Sequence, residues 1–183
     1  SIIQGMFLSP NSRGQESLFW TTMKEAGWIQ FSDEITRPSQ MAELCYRTEY
    51  VSPFEFIFYC YYAFPTRYPQ HIKEVFGEAY FNRVIKPESR TEFSEILKST
   101  DVKAVVTFNK EIFDIVTESK VESYLARLKA GGLIQGQVAG ISKQIPIYST
   151  IPTSWIYHKN DKEMRRDNLV KIREAICGYL SWL

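Results

Sequence analysis

Residues 102–108, with the sequence VKAVVTF, limit most strongly the folds that this chain can adopt. A nearly continuous apolar run of this length is typical of a parallel β-strand whose two faces are both covered. Residues 110–117 follow immediately with apolar residues at helical spacing, so the two segments predict a strand and the helix behind it. Strands that alternate with helices in this way indicate an α/β protein.

The same alternation extends along the chain, and we treat all of residues 1–183 as one domain. We predict strands within 2–8, 53–64, 133–138 and 145–148, and helices over 16–26, 39–46, 70–76, 88–98 and 121–129. Asn160 is predicted to cap a long final helix. The expected fold is a three-layer α/β/α domain. Its central, mainly parallel four-stranded sheet uses segments near 2–8, 54–62, 102–108 and 145–149.

Composition excludes several classes of function. The net charge is only +1, so no overall field indicates an acidic or basic partner. The three cysteines are far apart, and with only two histidines present we expect no metal site and no cofactor. No apolar run is long enough to cross a membrane and no segment resembles a signal peptide. We therefore expect a monomeric cytoplasmic protein, or a nuclear one if the source is eukaryotic, that does not bind membranes.

Several motifs along the chain occur in an order that is similar to that of a known protein family. Ser9-Pro10-Asn11 follows the first predicted strand, and the order continues with LFW (18–20), EAGW (25–28), CYYAFPTRYP (60–69), VKAVVTFNKEIF (102–113) and IPIYSTIPTSWIYH (145–158). This order resembles that of the uracil-DNA glycosylase superfamily, and its pattern is closest to the mismatch-specific and single-strand-selective branches. Each motif is short, and the resemblance rests on their shared order and spacing.

The resemblance implies a DNA repair enzyme that extrudes a damaged base, uracil or a related one, and hydrolyses its N-glycosidic bond. The partner would be damaged or single-stranded DNA, and no metal or cofactor would be needed. The implied catalytic residues are Ser9, Asn11 and Glu16. The implied substrate-binding residues are Pro10, Phe64, Tyr68, Ile151 and Thr153.

Two positions depart from the family pattern. Ser9 stands where the family has Asp or Asn, and Ile151 stands where it has His or Asn. A serine hydroxyl is neutral at pH 7, so it can orient water through a hydrogen bond but cannot balance a cationic transition state as a carboxylate does. Asn11 and Glu16 are the nearest substitutes, although Asn11 also suits a turn and Glu16 also suits a first helical turn.

The loop before the final helix is the predicted DNA contact. Its residues, together with the start of the helix, would bind phosphates and insert an apolar wedge into the base stack. The predicted DNA-binding residues are Ser154, Trp155, Tyr157, His158, Lys159, Arg165 and Arg166. The alternatives stay open here, because the aromatic residues can also pack on the core and the cations can also form a solvated helix face.

The aromatic stretch that ends in Phe64 also has two interpretations. Tyr59, Tyr61, Tyr62 and Phe64 would alternate along a strand, so some of them pack against helices while others line a base pocket. Phe64 and Tyr68 are the preferred pocket residues because they lie at the carboxyl end of the predicted strand.

Two other functions compete with glycosylase activity. One is a catalytically inactive module of the same fold that binds a nucleic acid or a nucleobase. The other is a small-molecule hydrolase or transferase of doubly wound type. The first loop has neither G-x-G-x-x-G nor G-x-x-x-x-G-K-[ST], so phosphate binding through those loops is disfavoured.

Overall fold

The structure is a computed structural model that describes residues 18–47, 49–62, 69–151 and 159–181. Helices make up most of these residues. The first two are α1 (Leu18–Glu25) and α2 (Pro38–Tyr46), followed by α3 (Pro69–Phe76) and the single turn α4 (Glu78–Tyr80). A π-helical turn (Phe81–Ile85) joins α4 directly to α5 (Lys86–Ser99). Pro87 has no N–H to donate to the carbonyl one turn earlier, which explains why the helix is irregular at this point.

The second half contains the strands. The order is β1 (Val105–Thr107), α6 (Lys110–Thr117), α7 (Tyr124–Lys129), β2 (Ile134–Gln137), β3 (Pro146–Ser149) and α8 (Lys159–Leu180). The predicted helices over 39–46, 70–76 and 88–98 are confirmed, as are the short strands at 133–138 and 145–148. Helix α8 begins at Lys159, so Asn160 lies inside the helix and is not its cap.

The prediction of a mainly parallel four-stranded sheet is wrong. Within the described residues the sheet has three strands in the order β1-β3-β2. β1 runs parallel to β3, with Val105 opposite Ile147, whereas β2 runs antiparallel to β3, with Ile134 opposite Ser149. A short connection suffices between antiparallel neighbours, while a parallel pair needs a long crossover. The few residues between β2 and β3 therefore favour the antiparallel arrangement.

Two predicted strand positions need correction. Residues 54–62 form no strand, and residues 102–108 supply only the three-residue β1 at the edge of the described sheet instead of a central strand. Phe54, Phe56 and Phe58 do share a face as in a strand, but their rings contact one another and their backbone forms no ladder. Aromatic packing thus replaces strand pairing in this segment. The predicted strand at 2–8 lies outside the described residues.

Two apolar clusters lie on opposite faces of the sheet. The first contains residues of α5, α6 and α7 together with Ile147, and the second contains residues of α1, α2 and α8 together with Tyr148. Ile147 and Tyr148 are consecutive on β3, so their side chains point to opposite faces. All four residues of β3 are buried, because helices cover both sides of this central strand.

The turn after α1 requires a glycine. Gly27 has φ of +72°, and a Cβ at this position would lie 2.0 Å from Nη1 of Arg173. That guanidinium donates to the Gly27 carbonyl at 3.2 Å, and Lys162 pairs with Glu25 at 2.9 Å. The Trp28 indole N–H donates to the Leu169 carbonyl at 2.9 Å. These contacts fix α1 against α8, on one side of the site described next.

Candidate functional site: an aromatic cavity beside the first strand

A cavity of about 910 Å³ lies between residues 53–62 and the β1 edge of the sheet. We call it the aromatic cavity. Its walls come from residues 53–62, from residues 101–109, and from two or three residues each of α1, α5 and α8. Among the lining residues are Phe19, Trp28, Phe56, Phe58, Tyr59, Tyr61, Tyr62, Phe93, Phe108 and Leu169. Known small-molecule sites have volumes of about 300–1,000 Å³ and mostly apolar walls. The aromatic cavity is therefore large enough for a ligand of nucleotide size.

Ring contacts hold the aromatic wall in place. The Tyr59 and Phe93 rings stack at 5.7 Å between centroids, Tyr61 and Tyr62 meet edge to face at 5.1 Å, and Tyr62 contacts Phe81 at 5.2 Å. Aromatic pairs in these offset and edge-to-face arrangements add stability beyond the burial of their area. The chain positions these tyrosines through contacts with α5 and the π-helical turn.

Three tyrosine hydroxyls in this wall have no polar partner. The oxygens of Tyr59, Tyr61 and Tyr62 are buried and make no hydrogen bond within the part of the chain that the structure describes. Burial raises the pKa of Tyr59 to about 12, and it also raises the pKa of Tyr61 and of Tyr62. The phenols are therefore neutral at pH 7, and each can donate one hydrogen bond and accept others.

The tyrosine of α7, in contrast, has a buried hydroxyl that is hydrogen-bonded within the protein. Tyr124 lies 2.9 Å from the Ser149 hydroxyl and donates to the Thr150 carbonyl at 2.7 Å. Buried polar groups in folded proteins are nearly always paired in this way. The hydroxyls of Tyr59, Tyr61 and Tyr62 depart from this rule within the described chain.

The carboxyl end of β1 forms one border of the cavity. Thr107, Phe108 and Asn109 line it there, and the Asn109 side chain caps α6 by accepting from the backbone N–H groups of Glu111 at 2.8 Å and Ile112 at 3.3 Å. The Thr107 carbonyl accepts from the Thr150 N–H at 3.0 Å. Ligands of α/β proteins commonly sit at the carboxyl ends of parallel strands, and β1 and β3 form such a pair.

Charged groups occur at the opposite end of the cavity wall. Lys103 pairs with Asp101 at 2.8 Å, and this hydrogen bond lowers the pKa of the Asp101 carboxyl. The described residues contain no group of three or more His, Cys, Asp or Glu side chains suited to a metal ion. No helix in the described ranges is long and apolar enough to cross a membrane.

Most of the site residues predicted from the sequence lie outside the described residues. These are Ser9, Pro10, Asn11, Glu16, Phe64, Tyr68, Thr153, Ser154, Trp155, Tyr157 and His158. The structure therefore does not test their roles. Lys159 is the first residue of α8.

Three predicted site residues have described side chains. Ile151 is buried with 1% of its surface exposed, so its apolar side chain contributes packing where the family would have a hydrogen-bond donor. Arg166 pairs with Asp167 at 2.8 Å. Arg165 is fully buried and shares no exposed basic face with Arg166, although the sequence predicts such a face. Their predicted DNA contact remains a prediction.

Sequence reasoning preferred Phe64 and Tyr68 as pocket residues, and both lie outside the described residues. It left open which of Tyr59, Tyr61 and Tyr62 line a pocket, and all three line the described cavity. The density of tyrosine in residues 59–62 was the available signal, but a strand interpretation assigned most of these rings to core packing. Arg165 lies four residues before Leu169 and so continues the apolar stripe of Leu169, Ile172 and Ile176, and this spacing was the signal that set it apart from the other cations of α8.

Searches against protein-family models, curated proteins and solved structures found no match to this chain.

Proposed function

We propose that this chain binds an extruded, damaged base of DNA in the aromatic cavity, in the manner of the base-excision glycosylases that its motifs resemble. The observation that carries the proposal is the set of three buried, unpartnered tyrosine hydroxyls in the wall of a cavity of about 910 Å³. A base has a flat face that stacks on aromatic rings and an edge of donors and acceptors. Each of the three tyrosines that line the cavity carries both a ring face and a hydroxyl.

Neutral hydroxyls suit this ligand better than charged groups do. A phenol donates to a base carbonyl and accepts from a base N–H, so a few tyrosines can match uracil or a related base without an ion pair. The raised pKa values of Tyr59, Tyr61 and Tyr62 keep these phenols protonated across the physiological range. Stacking on aromatic side chains contributes about 1–3 kcal/mol per base.

Hydrolysis of the N-glycosidic bond belongs to the same proposal and depends on residues of the first loop. Ser9 replaces the acidic or amide residue of the family and Ile151 replaces its base-holding residue, and Ile151 is buried. We expect slow excision of plain uracil or none, because a neutral hydroxyl stabilises a cationic sugar less than a carboxylate does. Ser9→Asp should raise the rate.

Binding is tested by titrating the protein with single-stranded oligonucleotides that carry one uracil and following quenching of tryptophan fluorescence. Trp28 lines the cavity and serves as the reporter. The double variant Tyr61→Phe/Tyr62→Phe removes two hydroxyls and keeps both rings, so it should weaken uracil binding. Tyr179→Phe is the matched control, because its hydroxyl bonds to the Gln144 carbonyl outside the cavity.

Excision is measured on the same oligonucleotides by alkaline cleavage at abasic sites, with thymine mispairs and hypoxanthine as further substrates. Equal affinity for uracil-containing and uracil-free strands, or unchanged affinity in the double variant, would refute base binding in the cavity. Binding without excision, even by Ser9→Asp, would identify the chain as an inactive base-binding module.

A further inference from the structure

Arg165 is the least expected polar residue of the described chain. Its side chain is fully buried in α8, and its Nε, Nη1 and Nη2 atoms make no hydrogen bond to any described residue. The neighbouring Arg166, in contrast, donates from Nε and Nη2 to the Asp167 carboxylate at 3.0 and 2.8 Å. Two consecutive arginines on one helix thus differ completely in their partners.

Burial does not remove the charge. Desolvation lowers the pKa of the Arg165 guanidinium to about 10, so the group is still cationic at neutral pH. Among its contacts is the Phe108 ring, whose centroid lies 5.4 Å from Cζ. A cation over an aromatic face recovers only a small part of the hydration that a buried charge loses. The five N–H donors of the guanidinium therefore need a partner that binds them more strongly than the Phe108 ring does.

A second unpartnered donor lies at the same end of the sheet. Thr150 is fully buried, and its hydroxyl oxygen makes no hydrogen bond within the described ranges. The Thr150 N–H bonds to the Thr107 carbonyl, which places Thr150 beside the residue that precedes Phe108. Arg165 and Thr150 therefore both lie against residues 107–108, at the carboxyl ends of the parallel strands β1 and β3.

We propose that Arg165, assisted by the Thr150 hydroxyl, forms a binding site for a phosphate group. A guanidinium binds phosphate through two parallel N–H···O bonds, and a hydroxyl supplies a further donor. The Phe108 ring contacts Arg165 on one side and lines the aromatic cavity as well, so the phosphate lies one ring away from the proposed base site. A nucleotide is the ligand that carries both groups, and in that detail the inference depends on the proposed function.

The competing partner is a carboxylate of the chain itself. Among the residues outside the described ranges, Glu16 carries the single acidic side chain. An ion pair between Glu16 and Arg165 would leave no place for phosphate. The experiment must therefore separate these two anions.

The first measurement compares thermal unfolding in phosphate and in chloride at equal ionic strength. Phosphate that binds the folded state alone raises the midpoint with concentration. We expect this rise in the wild type and in Arg83→Met, a control at an exposed arginine of the π-helical turn, and its loss in Arg165→Met, which keeps the length of the side chain without the charge. Arg165→Lys should bind phosphate about tenfold more weakly, because it loses the bidentate geometry.

The second measurement is calorimetric titration with inorganic phosphate, deoxyuridine and deoxyuridine monophosphate. In the wild type the monophosphate should bind at least about tenfold more tightly than the nucleoside, and Arg165→Lys should reduce that ratio. Phosphate binding without nucleoside binding would leave the anion site standing and refute the base site. Nucleoside binding that the phosphate group does not strengthen would refute the anion site and leave the base site standing.

Two results would overturn the proposal. One is a wild type that does not respond to phosphate while Glu16→Gln does, since that result assigns the guanidinium to Glu16. The other is equal phosphate affinity in the wild type and Arg165→Lys. If Arg165→Met does not fold, the lysine variant and the wild-type titrations still decide between these outcomes.

Discussion

Two apolar segments, residues 53–62 and β1 with its flanks, face each other across the aromatic cavity and are stabilised by different means. β1 is hydrogen-bonded to β3 through a parallel ladder, and its residues pack into both apolar clusters. Residues 53–62 form no ladder with any described residue, and rings such as Phe54, Phe56 and Phe58 contact each other and α1. The strand satisfies its backbone through the sheet, whereas the aromatic segment is held by its side chains.

The difference explains where a ligand site can form. A ladder brings two backbones to about 4.8 Å and leaves no space between them. Residues 53–62 form no ladder with β1, and both segments line the aromatic cavity. The unpaired tyrosine hydroxyls lie in residues 53–62, while Tyr124, which bonds to the end of β3, has its hydroxyl paired. At the end of the sheet the hydroxyl without a described partner is that of Thr150.

The largest effect is expected from truncation of the central strand. Ile147 is fully buried on β3, and Ile147→Ala should lower the free energy of unfolding by about 2–5 kcal/mol. Phe56→Ala removes a larger side chain that is half-buried beside a space already present, so its cost should be smaller. Urea denaturation measures both values. A greater loss for Phe56→Ala would mean that the aromatic segment, and not the sheet, carries the core.

Removal of single tyrosine hydroxyls compares the sheet with residues 53–62 more directly. Tyr124→Phe leaves the buried Ser149 hydroxyl and Thr150 carbonyl without this partner and should cost about 1–3 kcal/mol of stability. Tyr62→Phe removes a hydroxyl that has no partner in the described chain, and we expect stability to stay equal or to rise. The same denaturation experiment checks the pair. A comparable loss in Tyr62→Phe would show that its hydroxyl is already bonded.

Alkaline pH should weaken the folded protein through its buried phenols. Burial raises the pKa of Tyr59 and of Tyr124 to about 12, above the ordinary value of about 10. From about pH 10 to about pH 12 the unfolded chain loses protons that the folded chain keeps. Stability is thus fully present below pH 10 and falls as the pH rises through this window.

Unfolding midpoints measured at several pH values, with tyrosinate absorbance as a direct readout, test this dependence. The decline should be shallower in Tyr59→Phe, since one of the shifted groups is then absent. A decline of the same slope in this variant would show that Tyr59 ionises normally in the folded state.

The smallest effect on stability is expected at an ion pair between α1 and α8, the helices on one side of the aromatic cavity. Lys162 of α8 pairs with Glu25 of α1 at 2.9 Å, and both side chains are about one third exposed. Exposed ion pairs contribute about 0.2–1 kcal/mol, so Glu25→Gln should lower stability by no more than this amount. The loss should shrink at high salt. A larger loss that salt does not change would show that the pair carries more of the contact between α1 and α8.

Local patterns predicted much of the helical frame. The helices predicted over 39–46, 70–76 and 88–98 are present at nearly these positions, and the helix predicted over 110–117 is α6. These features depend on neighbours within a few residues, so the sequence contains all the information they need. The same holds for β2 and β3, whose short apolar runs were predicted at nearly the observed positions.

Only the tertiary structure decided which apolar segments pair and which polar groups are buried away from solvent water. The sequence by itself determined the helices, the short strands, the absence of bulk charge and the aromatic density of residues 53–62. It did not determine that this segment would stay apart from β1, because ring packing and strand pairing both bury the same residues. Helical spacing places Arg165 on the apolar stripe of α8 and Arg166 off it, but it did not determine that the buried Arg165 guanidinium would lack a partner among the described residues, because such partners come from elements distant in sequence.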